Sequence, residues 1–145
     1  MIISKDIFLR KSYERIKLSH IFELQAIRRH SMNIDDYSFH DAQILSVTEN
    51  SEQHSFEFLL DFPVDWDNNV FERKNLKFTD VITYRIEEIP FAGNPTILNI
   101  INFGLMTKTF GEGKNQIVVK RTKIEIQTNA GNRIIEFVTC DLLPA

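Results

Sequence analysis

Cysteine is almost missing from this chain of 145 residues: Cys140 is the only one, so no intrachain disulfide can form and the fold must rest on its core. At 43% hydrophobic and 26% charged residues, the chain is long enough and apolar enough to bury such a core as a single domain, 1–145. Cys140 lies in the apolar run RIIEFVTCDLL, where a small thiol is buried and burial raises its pKa. That context argues against a nucleophile and fits a reducing cytoplasm.

Long hydrophobic runs are lacking too. No stretch approaches the roughly twenty apolar residues needed to cross a bilayer. The opening MIISKDIFLRKSYERIK breaks its apolar stretches with charges too early for a signal-peptide core. The expectation is a soluble cytoplasmic protein without a membrane partner. There is no excess of positive charge: the net charge of −3 has the wrong sign for holding a phosphate backbone, so nucleic acid is not expected as a partner. Lys120, Arg121 and Lys123 in VVKRTK read as a solvated sheet face. The glycine-containing FGEGKN lacks the length and the Lys-Ser/Thr ending of a phosphate-binding loop.

The charge that is present is unevenly placed. Residues 1–40 carry seven Lys/Arg against five Asp/Glu, and 41–145 carry ten against fifteen. From Asp41 to Glu72 there are eight carboxylates and no Lys or Arg, a block that can act as an electrostatic landing surface or simply keep a hairpin soluble. Within it, PVDWDNN combines a proline, a run of turn-favouring residues and the only tryptophan, predicting a surface loop with an aromatic near its tip. Acid steers a basic partner and an exposed Trp anchors it, which singles out Glu57, Asp61, Asp65, Trp66 and Asp67 as a candidate binding surface.

Hydrophobic periodicity divides the chain. From Ser4 to about His30, Ile7, Phe8, Tyr13, Ile16, Ile21, Leu24 and Ile27 recur at steps near three and four without Gly or Pro, predicting one or two helices. Met32 would make an ordinary protein start, so 1–31 can be read as a helical N-terminal extension on a sheet-rich core, 32–145. After a loop at 31–38 the period changes to two. Ile44–Val47 and Phe56–Phe62 flank the polar TENSEQ as a hairpin. NLKFTDVITYRIEEI reads as one bent strand or two broken near Thr79-Asp80, and TILNIINFGLM allows strand or short helix. QIVVKRTKIEIQT and RIIEFVTCDLL form a hairpin around NAGN. The expected class is α+β: a helical segment, then an antiparallel, hairpin-linked sheet of five to seven strands.

His40-Asp41 raises the question of a metal dyad. A metal-dependent hydrolase of the HD type needs an upstream histidine, for which His20 or His30 could serve, and a later acid such as Asp61 or Asp80. That fold is helical around its dyad, whereas everything after Asp41 here reads as strands. The alternative is structural: Asp41 at the head of a strand, and His40 donating a ring N–H to a carbonyl or carboxylate while Phe39 packs inward. A self-assembling domain, in which exposed strand edges matter more than the acids, is a third reading.

The segments YSFHDAQILSVTEN, FEFLLDFPVDW and NLKFTDVITYRIEEI, over roughly 37–90, resemble small bacterial proteins in which a Phe-His-Asp segment opens the first strand. A hairpin and an F-x-D-V strand ending in an aromatic follow. This group includes uncharacterised domains and immunity proteins of polymorphic toxin systems. The resemblance implies a cytoplasmic antidote, without catalysis, cofactor or metal, that occludes a basic toxin domain by binding. It transfers no individual binding residue.

Overall fold

The computed structural model describes residues 31–90 and 92–145, and Met32–Ala145 form one compact unit. Eight strands account for about two thirds of it: β1 (Gln43–Asn50), β2 (Ser55–Asp65), β3 (Val70–Thr79), β4 (Thr83–Glu88), β5 (Ile97–Phe110), β6 (Ile117–Thr128), β7 (Gly131–Phe137) and β8 (Thr139–Pro144). Two single-turn 3-10 segments, Ile34–Asp36 and Gly113–Asn115, complete it. The α+β expectation is therefore corrected to all-β: the described residues contain no α-helix and eight strands rather than five to seven. The helices expected between Ser4 and His30 lie outside the described residues.

The strands form two antiparallel sheets rather than one, ordered β1-β2-β3-β8 and β4-β7-β6-β5. The physical reason is visible at two breaks. The run through Thr79-Asp80 is two strands, because Asp80 adopts φ 51 and turns the chain out of the first sheet before β4 joins the second. RIIEFVTCDLL breaks likewise at Val138, so that β7 and β8 belong to different sheets. Val138 N–H donates to Thr79 O at 3.0 Å, and the hydroxyls of Thr79 and Thr139 hydrogen-bond each other, fastening the two bends together. From Ile97 on, the ambiguous TILNIINFGLM is strand, part of β5, and Thr96 before it forms an isolated bridge with Gln43.

Period-two alternation aims one residue in two inward from each sheet. Phe58, Leu60, Phe62, Leu76, Phe78 and Cys140 from the first sheet meet Ile97, Ile124, Ile126, Ile135 and Phe137 from the second in one buried cluster. Edge-to-face contacts of Phe78 with Phe58, at 5.5 Å, and with Phe137, at 4.9 Å, lie at its centre. No helix among the described residues is long and apolar enough to cross a membrane.

Beyond the core, β5 and β6 run on as a two-stranded arm. β6 pairs with β7 only from Thr122 to Gln127, whereas its pairing with β5 continues to Phe110↔Ile117.

Gly131, at φ +146, begins β7 where a Cβ would collide with the backbone of Glu87 and Glu88 on β4. Gly104, at φ +79, has open space around it. Both Ala variants carry backbone strain of about 1 kcal/mol or more, but Gly131→Ala adds a clash worth about 1–3 kcal/mol. Urea unfolding of the two variants should therefore place Gly131→Ala clearly below Gly104→Ala in stability.

Candidate functional site

The Phe-His-Asp segment is a tight turn that joins the two sheets. Ala42 N–H donates to Phe39 O at 3.0 Å, and Asp41 takes φ 71, a left-handed conformation that Asp tolerates better than most residues. The turn makes two backbone hydrogen bonds with the first residue of β5, Asp41 N–H to Ile97 O at 2.9 Å and Ile97 N–H to Ala42 O at 2.8 Å, and in β1 Ile44 N–H donates to Pro95 O at 2.9 Å. Phe39 points inward, edge-on to Phe62 at 5.6 Å. His40 Nδ1 donates to Leu98 O at 2.8 Å, and its Nε2 lies 3.5 Å from Asp41 Oδ1.

The exposed side of the His40 ring carries the tryptophan. Trp66 sits at the β2–β3 tip, its ring 5.8 Å from that of His40, with 52% of its surface exposed. The tip is held by Asp65, which accepts from Asn68 N–H at 3.2 Å and from Asn68 Nδ2 at 2.7 Å. Those hydrogen bonds hold the Asp65 carboxyl below its ordinary pKa. Asn69 N–H donates to Trp66 O and completes the loop. Two segments that the sequence raised separately, SFHD and PVDWDNN, are thus brought together through the His40–Trp66 ring contact, with Asp65 and Asp67 flanking the exposed indole in the chain.

The other two predicted residues lie apart from the tip on paired β-strand positions. Glu57 Oε1 is 3.9 Å from Lys77 Nζ, and Asp61 Oδ1 is 3.9 Å from Arg73 Nε. Basic residues of β3 therefore answer the acidic run of β2, which the linear sequence could not reveal because the partners are more than ten positions away. At this separation and exposure each pair contributes little, about 0–1 kcal/mol.

No group of three or more His, Cys, Asp or Glu side chains is placed to hold a metal among the described residues, and His20 and His30 lie outside them. Asp61 faces Arg73, and Asp80 sits at the β3–β4 break. Cys140 is buried, and burial, reinforced by Asp141, pushes its thiol up to about 12, which favours the protonated form.

Sequence reasoning missed a cleft of about 720 Å³ between β1 and β4, lined by Ile44, Val47, Phe56, Tyr84, Ile86 and Arg133 among others. Arg133 faces inward, across from Ile126, and its guanidinium is satisfied by Glu88, with Nη2–Oε1 2.6 Å and Nε–Oε1 2.7 Å, and by the Tyr84 hydroxyl at 3.1 Å. Burial raises the Tyr84 pKa, outweighing the nearby Arg133 charge. The signal was legible: in RIIEF, Arg133 shares the period-two face of Ile135 and Phe137. Of the charged residues lining the cleft, Arg133 is paired with Glu88, and Glu49 accepts a hydrogen bond from Ser51 Oγ at 3.3 Å.

No protein-family model, curated protein or solved structure matches this chain.

Removing Glu88 strands a buried guanidinium, so Glu88→Ala should cost about 3–5 kcal/mol in thermal or urea unfolding. Replacing both partners by apolar residues, Glu88→Leu with Arg133→Met, should recover most of the loss.

Glu136 is also buried, which opposes its ionisation, yet hydrogen bonds from Lys108 and Thr83 and the charges of Lys108 and Lys123 bring its pKa below the ordinary value. A depressed carboxylate stabilises the fold at pH values above its unfolded pKa, and that contribution is lost as pH falls through the folded one. The stability gap between wild type and Glu136→Gln should be full at neutral pH and shrink on acidification below about pH 4.5, as read by unfolding curves across that range.

Proposed function

We propose that this chain is a non-enzymatic protein-binding module, an immunity-type inhibitor that occludes a basic toxin domain in the cytoplasm. The observation that carries this reading is Trp66: a half-exposed indole supported by His40 and by the Asp65-capped turn, with Asp67 following it in the chain and Asp41 Oδ1 3.5 Å from His40 Nε2. A rigidly held aromatic contributes contact area at low entropic cost, and hot spots in interfaces are enriched in such residues. No Lys or Arg occurs from Ser31 to Glu72, so the surroundings of the indole favour a cationic partner.

The five candidate residues take different roles in this proposal. Trp66 and Asp67 make contact. Asp65 is occupied by Asn68 and positions the loop. Glu57 and Asp61 form a flanking rim whose 3.9 Å pairs to Lys77 and Arg73 are loose enough for a partner's cations to displace. A basic nuclease-type toxin fits, because such an enzyme holds phosphates with positive charge and a carboxylate surface imitates them.

The test uses the full chain as bait for toxin domains from its native cell, at low and high salt, alongside Trp66→Ala and the double variant Asp41→Asn, Asp67→Asn. Asn keeps the left-handed turn at 41 accessible, so melting should not change. Trp66→Ala should weaken capture about thirtyfold or more. The double variant should weaken it at low salt and flatten its salt dependence. Retention of a basic toxin domain equally by wild type and Trp66→Ala would overturn the proposal.

A further inference from the structure

The His40 ring has an acceptor at each of its nitrogens. Leu98 O, a carbonyl that can only accept, lies 2.8 Å from Nδ1 and fixes that nitrogen as the protonated one. Nε2 then carries the lone pair of the neutral ring, and it faces Asp41 Oδ1 at 3.5 Å. Two acceptors are set against each other, and the contact gains nothing while the ring is neutral. A proton on Nε2 turns the same contact into an ion pair.

The charged side chains placed around this ring are acids. Asp41 belongs to its own turn, Asp35 and Asp36 line a cleft of about 380 Å³ together with His40, and Asp65 and Asp67 flank Trp66 in the chain. The part of β5 that lines the same cleft, Leu98, Asn99 and Ile100, is uncharged, and no Lys or Arg occurs from Ser31 to Glu72. None of these groups repels a proton on His40. With its side chain 50% exposed, the ring takes up that proton without any opening of the fold.

The contact with Trp66 carries the change to the surface. The two rings lie 5.8 Å apart at 37°, so an imidazolium would sit against the π-face of the indole. There it draws on the same quadrupole that attracts a partner's cation from outside. Asp41, which adds its charge to the acidic surface while His40 is neutral, is at the same time taken into the ion pair.

We infer that His40 is a proton-operated release for the Trp66 surface. Protonated at Nε2, it withdraws Asp41 into an ion pair and sets a cation behind the indole, so the hold on a cationic partner weakens on mild acidification. This regulation rests on Trp66 being the contact for a cationic partner, as proposed above.

Trp66 is the only tryptophan, so its emission and its indole N–H resonance report this one contact. Taken from about pH 8 to about pH 5.5, across which histidine is the side chain that ordinarily changes charge, the wild-type full chain should lose emission in one step. Far-ultraviolet circular dichroism should stay constant over the same range. His40→Asn, whose amide can still donate to Leu98 O, should keep constant emission. A tetra-arginine peptide, standing in for a basic partner, should bind the wild type about threefold more weakly at the acidic end, as read by the indole resonance. It should bind His40→Asn equally at both ends. Constant wild-type emission, or a step that survives in His40→Asn, would overturn the release role and leave the Trp66 surface standing if the peptide still binds. An emission step without peptide binding at either pH would overturn both.

Discussion

Backbone hydrogen bonding at the corners of the sandwich is the constraint on which the other features depend. Two sheets of four strands stay in register over a shared core only if the chain can pass between them without leaving peptide groups unpaired. At one corner β3 turns into β4 and β7 turns into β8, and the bonds of Val138 with Thr79 and of Ile82 with Glu136 hold the two bends side by side. At the other, the Phe39–Ala42 turn is bonded to Pro95 and Ile97. Loss of either corner would let the sheets separate and expose Phe58, Phe78 and Ile126, which are all fully buried.

The second corner explains why a histidine and an aspartate stand together without metal chemistry being needed to account for them. Asp41 supplies a residue that tolerates positive φ and an N–H for Ile97, and His40 supplies a ring N–H for Leu98. Once His40 is fixed in this way, its outer face becomes a platform for Trp66. The surface proposed for binding is thus a by-product of closing the fold: the turn that fastens the sheets also fixes the aromatic that a partner would meet.

Polar groups inside the molecule follow the same economy of pairing. Arg133 and Glu88 satisfy each other beneath the β1–β4 cleft, and Glu136 is satisfied by Lys108 from the arm. The latter pair ties the arm back to β7 in the second sheet.

Much of the local structure was legible from residues alone. Period-two alternation located β2, β6 and β7, PVDWDNN marked a tip with an exposed Trp, and the break near Thr79-Asp80 was readable as an alternative to one bent strand. Cys140 was recognisable as a buried thiol from its apolar flanks. These features depend on neighbours within a few positions, where side-chain period and turn preference operate. Partition into two sheets was not legible, because it depends on Val138 meeting Thr79 and on Ala42 meeting Ile97, contacts between residues more than fifty positions apart. For the same reason tertiary structure alone decided that Glu57 and Asp61 face Lys77 and Arg73, that Arg133 has Glu88, and that His40 lies under Trp66. A sequence lists charges and aromatics in order, but whether each is free or partnered is determined by strand register, and register is a property of the assembled sheets.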